Sequence, residues 1–77
     1  MSKNENTFGE RAVGYSFNPG GHNEVDRIKE IIADFIDFCH TIRVNHPDSE
    51  VKRMMSVAIT EAQTAQMWAV KAVTWDK

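Results

Sequence analysis

Cysteine is almost missing from this sequence: Cys39 is the only one in 77 residues, so no internal disulfide can form. Nor do the remaining residues offer a Cys/His set at zinc-ligand spacing, which removes the other common staple of small domains. Positive charge is scarce as well. Nine Lys and Arg against eleven Asp and Glu leave a net charge of −2, too little for a protein that tracks the phosphate backbone of DNA or RNA. A small anion is a different matter, because one or two phosphates need only a few well-placed cations or amides. No apolar run approaches the roughly 18 residues of a membrane span. The opening MSKNENTF has no apolar centre of the signal-peptide kind, and the expected location is cytosolic. Catalytic patterns are equally thin. Ser2, Ser16, Ser49 and Ser56 lie outside any G-x-S-x-G context, and His22, His40 and His46 have no i, i+4 partner among themselves. Acidic residues are dispersed along presumed solvent faces. The expectation is a protein that is not an enzyme and uses no metal or cofactor.

What the chain does have is helical periodicity. Residues 1–7 are polar and aperiodic, and read as a flexible tail. Residues 8–21, FGERAVGYSFNPGG, mix Phe8, Val13, Tyr15 and Phe17 with all four glycines and Pro19, a composition that wants burial and forbids a long helix. They read as an ordered arm lying across helices, with at most a short turn near Glu10 to Val13. A helix over 23–44 follows, with Asn23 as N-cap, Glu24 and Asp26 in its first turn, and a seam at Val25, Ile28, Ile32, Phe35, Cys39 and Ile42. Ile31, Ile36 and Phe38 widen that stripe, and Cys39 reads as a core thiol. Pro47 pushes the preceding residue out of the helical region and closes the segment. A second helix over 48–75 carries its seam at Val51, Met55, Ala58, Ala62, Ala65, Ala69 and Ala72, with Met67, Trp68, Lys71 and Trp75 beside it. The short linker makes the pair an antiparallel hairpin. The fold class is all-α, a single domain over 1–77.

Size then becomes decisive. A core in a chain of about 70 to 80 residues rarely supplies more than roughly 3 to 5 kcal/mol without disulfides, metal or partners. Met54, Ile59, Met67 and Val73 add apolar rows that two helices cannot cover, so association of chains is the expected support.

For chemistry, the arm is the better candidate. Arg11, Tyr15, Phe17 and the Gly20–Gly21 approach to a helix start combine one cation, two flat faces and exposed amides, a set suited to a phosphorylated base. Lys29 lies one position off its seam and can reach the same edge. The alternative is that Tyr15 and Phe17 only staple the arm while Lys29 is solvated. Lys71 and Trp75, four residues apart, form either an interface or an aromatic-plus-cation wall.

The arm FGERAVGYSFNP, the segment RIKE and the run VAITEAQTAQMWAVKAVTW resemble the phage anti-CBASS protein 2 family, including members from T-even-like phages. The resemblance spans about residues 8 to 75, and AVKAVTW with its MW lead-in is the most specific part. It implies a non-enzymatic sponge that sequesters the cyclic oligonucleotide signals of bacterial CBASS defence in the host cytoplasm. It also implies a homohexamer of helical hairpins, each with an N-terminal arm, that holds cyclic dinucleotides such as cyclic GMP–AMP between protomers. The family's G-Y matches Gly14 and Tyr15, whose ring would stack on a base, and its I-K matches Ile28 and Lys29, whose ammonium would contact phosphate. Arg11, Phe17 and Asn18 would complete that pocket. Some members bind cyclic trinucleotides through an Arg-Pro pair that here reads Trp75 and Asp76, so a second pocket would rest on Lys71, Thr74 and Trp75. Two rivals stand beside this expectation: a sponge for cyclic ADP-ribose-type Thoeris signals, and a hairpin that docks a host protein.

Overall fold

The computed structural model describes residues 7–14 and 23–75 of the chain. Tyr15, Phe17, Asn18 and Asp76 lie outside the described residues. Three helices follow one another, α1 (Phe8–Val13), α2 (Asn23–Asn45) and α3 (Ser49–Val73). Among the described residues every element is helical.

Local chemistry explains the ends of α1 and α3. Thr7 caps α1 with a reciprocal capping box: its Oγ1 accepts from the Glu10 amide at 3.0 Å and its own amide donates to Glu10 Oε1 at 3.0 Å. Gly14 closes α1 in the left-handed region at φ 65°, ψ 51°, where glycine has no Cβ penalty. At the hairpin turn Asp48 is the N-cap of α3, its Oδ1 accepting from the Glu50 amide at 2.8 Å. The Arg53 guanidinium holds the neighbouring Glu50 carboxyl below its ordinary pKa. That contribution is complete above the ordinary carboxylate range and fades as pH falls through it, and full exposure screens it heavily. Past Val73, Thr74 Oγ1 donates to the Val70 carbonyl at 2.8 Å and finishes the last turn.

Cross-helix bonds fix the hairpin register. Arg43 Nη1 donates to Ser56 Oγ at 3.0 Å, and Lys52 Nζ donates to the Arg43 carbonyl at 2.8 Å, so the end of α2 meets the start of α3 as an antiparallel pair requires. The core runs along this seam and takes in α1: Val13, Ala33, Ile36, Cys39, Ile59 and Ala62 form one buried cluster, with Phe8, Ala12, Ile32, Met55 and Ala58 against it. Ile36 is its fully buried centre.

The expected seams hold in part, with Val25, Cys39 and Ala62 buried, but each packed face is rotated relative to them. Phe35, placed in the α2 seam, is half exposed, while Ile36 and Ala33 are buried. Ala65 and Ala72 face outward on α3, and Ile59 and Gln66 take the inward positions beside Ala62. A straight helix drifts by about 20° per heptad, so a strict seven-residue alanine repeat cannot stay on one contact line. Burial follows the larger Ile59, which has more apolar surface to remove from water than alanine.

The rotation leaves two outward apolar stripes. On α2 they are Ile31, Phe35 and Phe38, the last 67% exposed. On α3 and just past it, Met54 and Val57, then beyond Glu61 Ala65, Trp68, Ala72 and Trp75, follow one row at three- and four-residue steps, all of them exposed. Contiguous apolar surface of this kind marks an interaction face rather than scattered surface hydrophobes.

Candidate functional site

The most informative polar contact joins α1 to α2. Lys29 is only 4% exposed, and its Nζ donates to the Gly14 carbonyl at 2.9 Å. A lysine on the buried face of a helix needs such an acceptor, because an ammonium out of water without one is costly. The acceptor suits it doubly, since carbonyls past the end of α1 carry the negative end of that helix's dipole. Gly14 C=O also belongs to the peptide unit that contains the Tyr15 N–H, so the ammonium is bonded to the link that leads into Tyr15. The sequence alternative of a solvated Lys29 is replaced by a buried one. Arg11 is exposed in the last turn of α1.

Two further side chains hold α1, and neither stood out in the sequence. Asp37 Oδ1 accepts from the Gly9 amide at 2.7 Å, and Gln63 Nε2 donates to the Ala12 carbonyl at 3.1 Å. The Phe8 ring stacks on His40 at 4.4 Å between centroids and 15° between planes, with the Arg43 guanidinium 5.3 Å from the Phe8 centroid. Arg43 Nη2 lies 2.7 Å from His40 Nδ1, and because a guanidinium can only donate, that ring nitrogen accepts. The contacts of Phe8 with His40, Gly9 with Asp37 and Gly14 with Lys29 run α1 antiparallel to α2.

Beside α1 the sequence does carry a signal for a helix start: Thr7-Phe8-Gly9-Glu10 is a T-x-x-E capping pattern, followed by glycine just past the last turn. For Asp37 and Gln63 nothing local distinguishes them from solvent-facing residues.

The second candidate group lies at the end of α3. Lys71 Nζ sits 5.3 Å from the Trp68 ring centroid and 5.7 Å from that of Trp75, a cation flanked by two indoles. Met67, Trp68 and Lys71 line a shallow cavity of about 220 Å³. Trp68 and Trp75 are 65% and 74% exposed, so the indoles present faces to solvent. Thr74 differs: its hydroxyl is engaged by the Val70 carbonyl in the helix end. Trp68, which the sequence sets beside the alanine seam with Met67, Lys71 and Trp75, joins this group through its i, i+3 spacing to Lys71.

Among the described residues, no group of three or more His, Cys, Asp or Glu is placed to hold a metal ion. No helix among them is long and apolar enough to cross a membrane.

A family model described as the Acb2/Tad1 hairpin domain matches residues 10–74. The chain belongs to the Acb2/Tad1 hairpin family. Comparisons with curated proteins and with solved structures gave no match. The Acb2/Tad1 match begins inside α1 and ends at the cap of α3, so it includes Gly14, Lys29, Lys71 and Thr74 and stops one residue before Trp75. The match thus takes in the α2–α3 hairpin and the last four residues of α1.

Proposed function

We propose that this Acb2/Tad1 hairpin protein is a phage anti-defence sponge. It binds cyclic dinucleotides such as cyclic GMP–AMP in the host cytoplasm and releases them chemically unchanged. The observation that carries the reading is the buried Lys29 ammonium on the Gly14–Tyr15 peptide. A cation is thereby tied to the turn glycine that precedes the sole tyrosine of the sequence. In this reading Tyr15 stacks on a base, Lys29 and Arg11 neutralise phosphate, and Phe17 and Asn18 shape the wall.

Assembly of identical chains completes the pocket. The 220 Å³ cavity at Met67, Trp68 and Lys71 is below the range of about 300 to 1,000 Å³ typical of small-molecule sites, so one chain does not enclose such a ligand there. The outward stripes on α2 and α3 supply the surface for self-association, with a hexamer as the expected state. A cyclic trinucleotide would use Lys71, Trp68 and Trp75; with an acidic residue, Asp76, next in the sequence, its affinity is expected to be the weaker.

Calorimetry against cyclic di- and trinucleotides and cyclic ADP-ribose tests the ligand class, followed by heat denaturation and chromatography of the released ligand. Intact cyclic dinucleotide supports the sponge. Linear product refutes it, a preference for cyclic ADP-ribose moves the function to Thoeris signals, and indifference to all of them favours a protein-docking hairpin. Tyr15→Ala is expected to abolish dinucleotide binding while light scattering still reports the wild-type oligomer.

Ala65→Leu tests assembly separately. Position 65 faces outward in the single chain, so a larger side chain leaves helix content unchanged. Overpacking a close helix contact between copies costs about 1 to 3 kcal/mol, and sedimentation should then show smaller species at the same concentration. An unchanged oligomer places the assembly contact elsewhere.

A further inference from the structure

α1 has only six residues, fewer than an isolated helix needs to persist in water. Its first-turn amides and last-turn carbonyls must be satisfied from outside the helix or by its own cap. Thr7 takes the Glu10 amide locally, and the Gly9 amide goes to Asp37, 28 residues away in sequence. At the opposite end, Ala12 and Gly14 offer their carbonyls to Gln63 and Lys29. Asp37 and Lys29 stand eight residues apart on α2, about 12 Å along its axis, so one helix reaches both ends of the other.

The signs of the two charges matter. A carboxylate meets the positive end of the α1 dipole and an ammonium meets the negative end, so reversing α1 would set like against like at both ends. The two charges therefore select the direction of α1 as well as its position.

We infer that Asp37 is a positioning residue for the ligand site: by holding the Gly9 amide it fixes α1, and through α1 the Gly14–Tyr15 peptide and Arg11. It touches no ligand itself. This rests on the proposed function, in which Tyr15 and Lys29 form the pocket.

Asp37→Ala and Asp37→Asn are compared with the full-length wild-type chain by amide hydrogen exchange and by calorimetry with cyclic GMP–AMP. In Asp37→Ala, exchange at the Arg11 and Gly14 amides, which close on Thr7 and Arg11 carbonyls, should rise while α2 and α3 amides stay protected. Affinity should fall about tenfold or more at unchanged stoichiometry, the scale of one charge-assisted hydrogen bond. Asp37→Asn keeps a side-chain oxygen for the Gly9 amide and should restore most of both. Opened α1 amides with undiminished affinity overturn the inference. So does an equal affinity loss in both variants with α1 still protected, since the effect would then be long-range charge alone. If Asp37→Ala unfolds the hairpin, Gln63→Ala, which loosens the opposite end of α1, is read in the same way and decides the question. A wild-type chain that binds none of the cyclic dinucleotides overturns the functional reading and this assignment together, whereas wild-type binding with an insensitive Asp37→Ala removes the assignment only.

Discussion

Gly9→Ala is expected to undock α1 from the hairpin. A Cβ at position 9 would stand 2.2 Å from the Ala33 carbonyl oxygen, 3.0 Å from its carbon and 2.9 Å from Asp37 Oδ1. Asp37 could swing aside, but Ala33 O is backbone in the middle of α2 and accepts the helical bond of residue 37. Moving it distorts α2, so α1 must move instead and the Asp37–Gly9 bond lengthens or breaks. Overpacking of this kind costs about 1 to 3 kcal/mol and loss of a hydrogen bond to a charged group about 1.5 to 3 kcal/mol, against a docked helix of six residues. Amide exchange should show α1 open with α2 and α3 protected. On the proposed function, calorimetry should lose cyclic dinucleotide binding altogether. Gly14→Ala provides the contrast. Nothing lies within 4 Å of a Cβ there, so only the positive φ opposes it, roughly 1 to 2 kcal/mol, and α1 should stay seated.

Ile36→Ala should produce the largest loss of stability. Ile36 is fully buried between Ala33, Cys39, Ile59 and Ala62, and shortening such a side chain costs about 2 to 5 kcal/mol through lost transfer energy and the cavity left behind. At about 4 to 8 °C per kcal/mol for a domain this small, thermal denaturation should shift down by about 10 °C or more. Scans must be made at one protein concentration, since self-association would make Tm concentration-dependent. Phe35→Ala, one residue away, sharpens the comparison. Half exposed in the single chain, it should change Tm little in a monomer; a drop approaching that of Ile36→Ala means another copy covers it.

Much of the hairpin was legible in the sequence because its signals are local. Pro47 follows the end of α2, Asp48 caps α3, and periodicity fills the intervals, whereas Asn23, expected as the N-cap, is itself the first helical residue of α2. The faces were less legible. An alanine repeat of seven looks like a seam, yet Ala65 and Ala72 turn outward once helical drift and the greater bulk of Ile59 decide which side is buried. Phe35 misled for a related reason: aromatic residues read as core, and periodicity alone does not distinguish the core of one chain from the contact between two.

The candidate site divides the same way. Gly14 and Lys29 were recognisable by resemblance, and the structure adds the bond between them. Asp37 and Gln63 were not legible, since a carboxylate and an amide on long helices normally face water. What recruits them is a short helix whose backbone needs partners, a requirement visible only when α1 is placed against α2 and α3.

The brevity of α1 also sets an order of events. Helices of 23 and 25 residues joined by a tight turn pair through nearby contacts, while α1 is held by Asp37 and Gln63, 28 and 51 residues distant in the chain. The hairpin is therefore expected to form first as a template, with α1 condensing onto it last. Under denaturant or protease α1 is expected to be the first element to let go, and on the proposed function ligand binding would then be lost well before the hairpin unfolds.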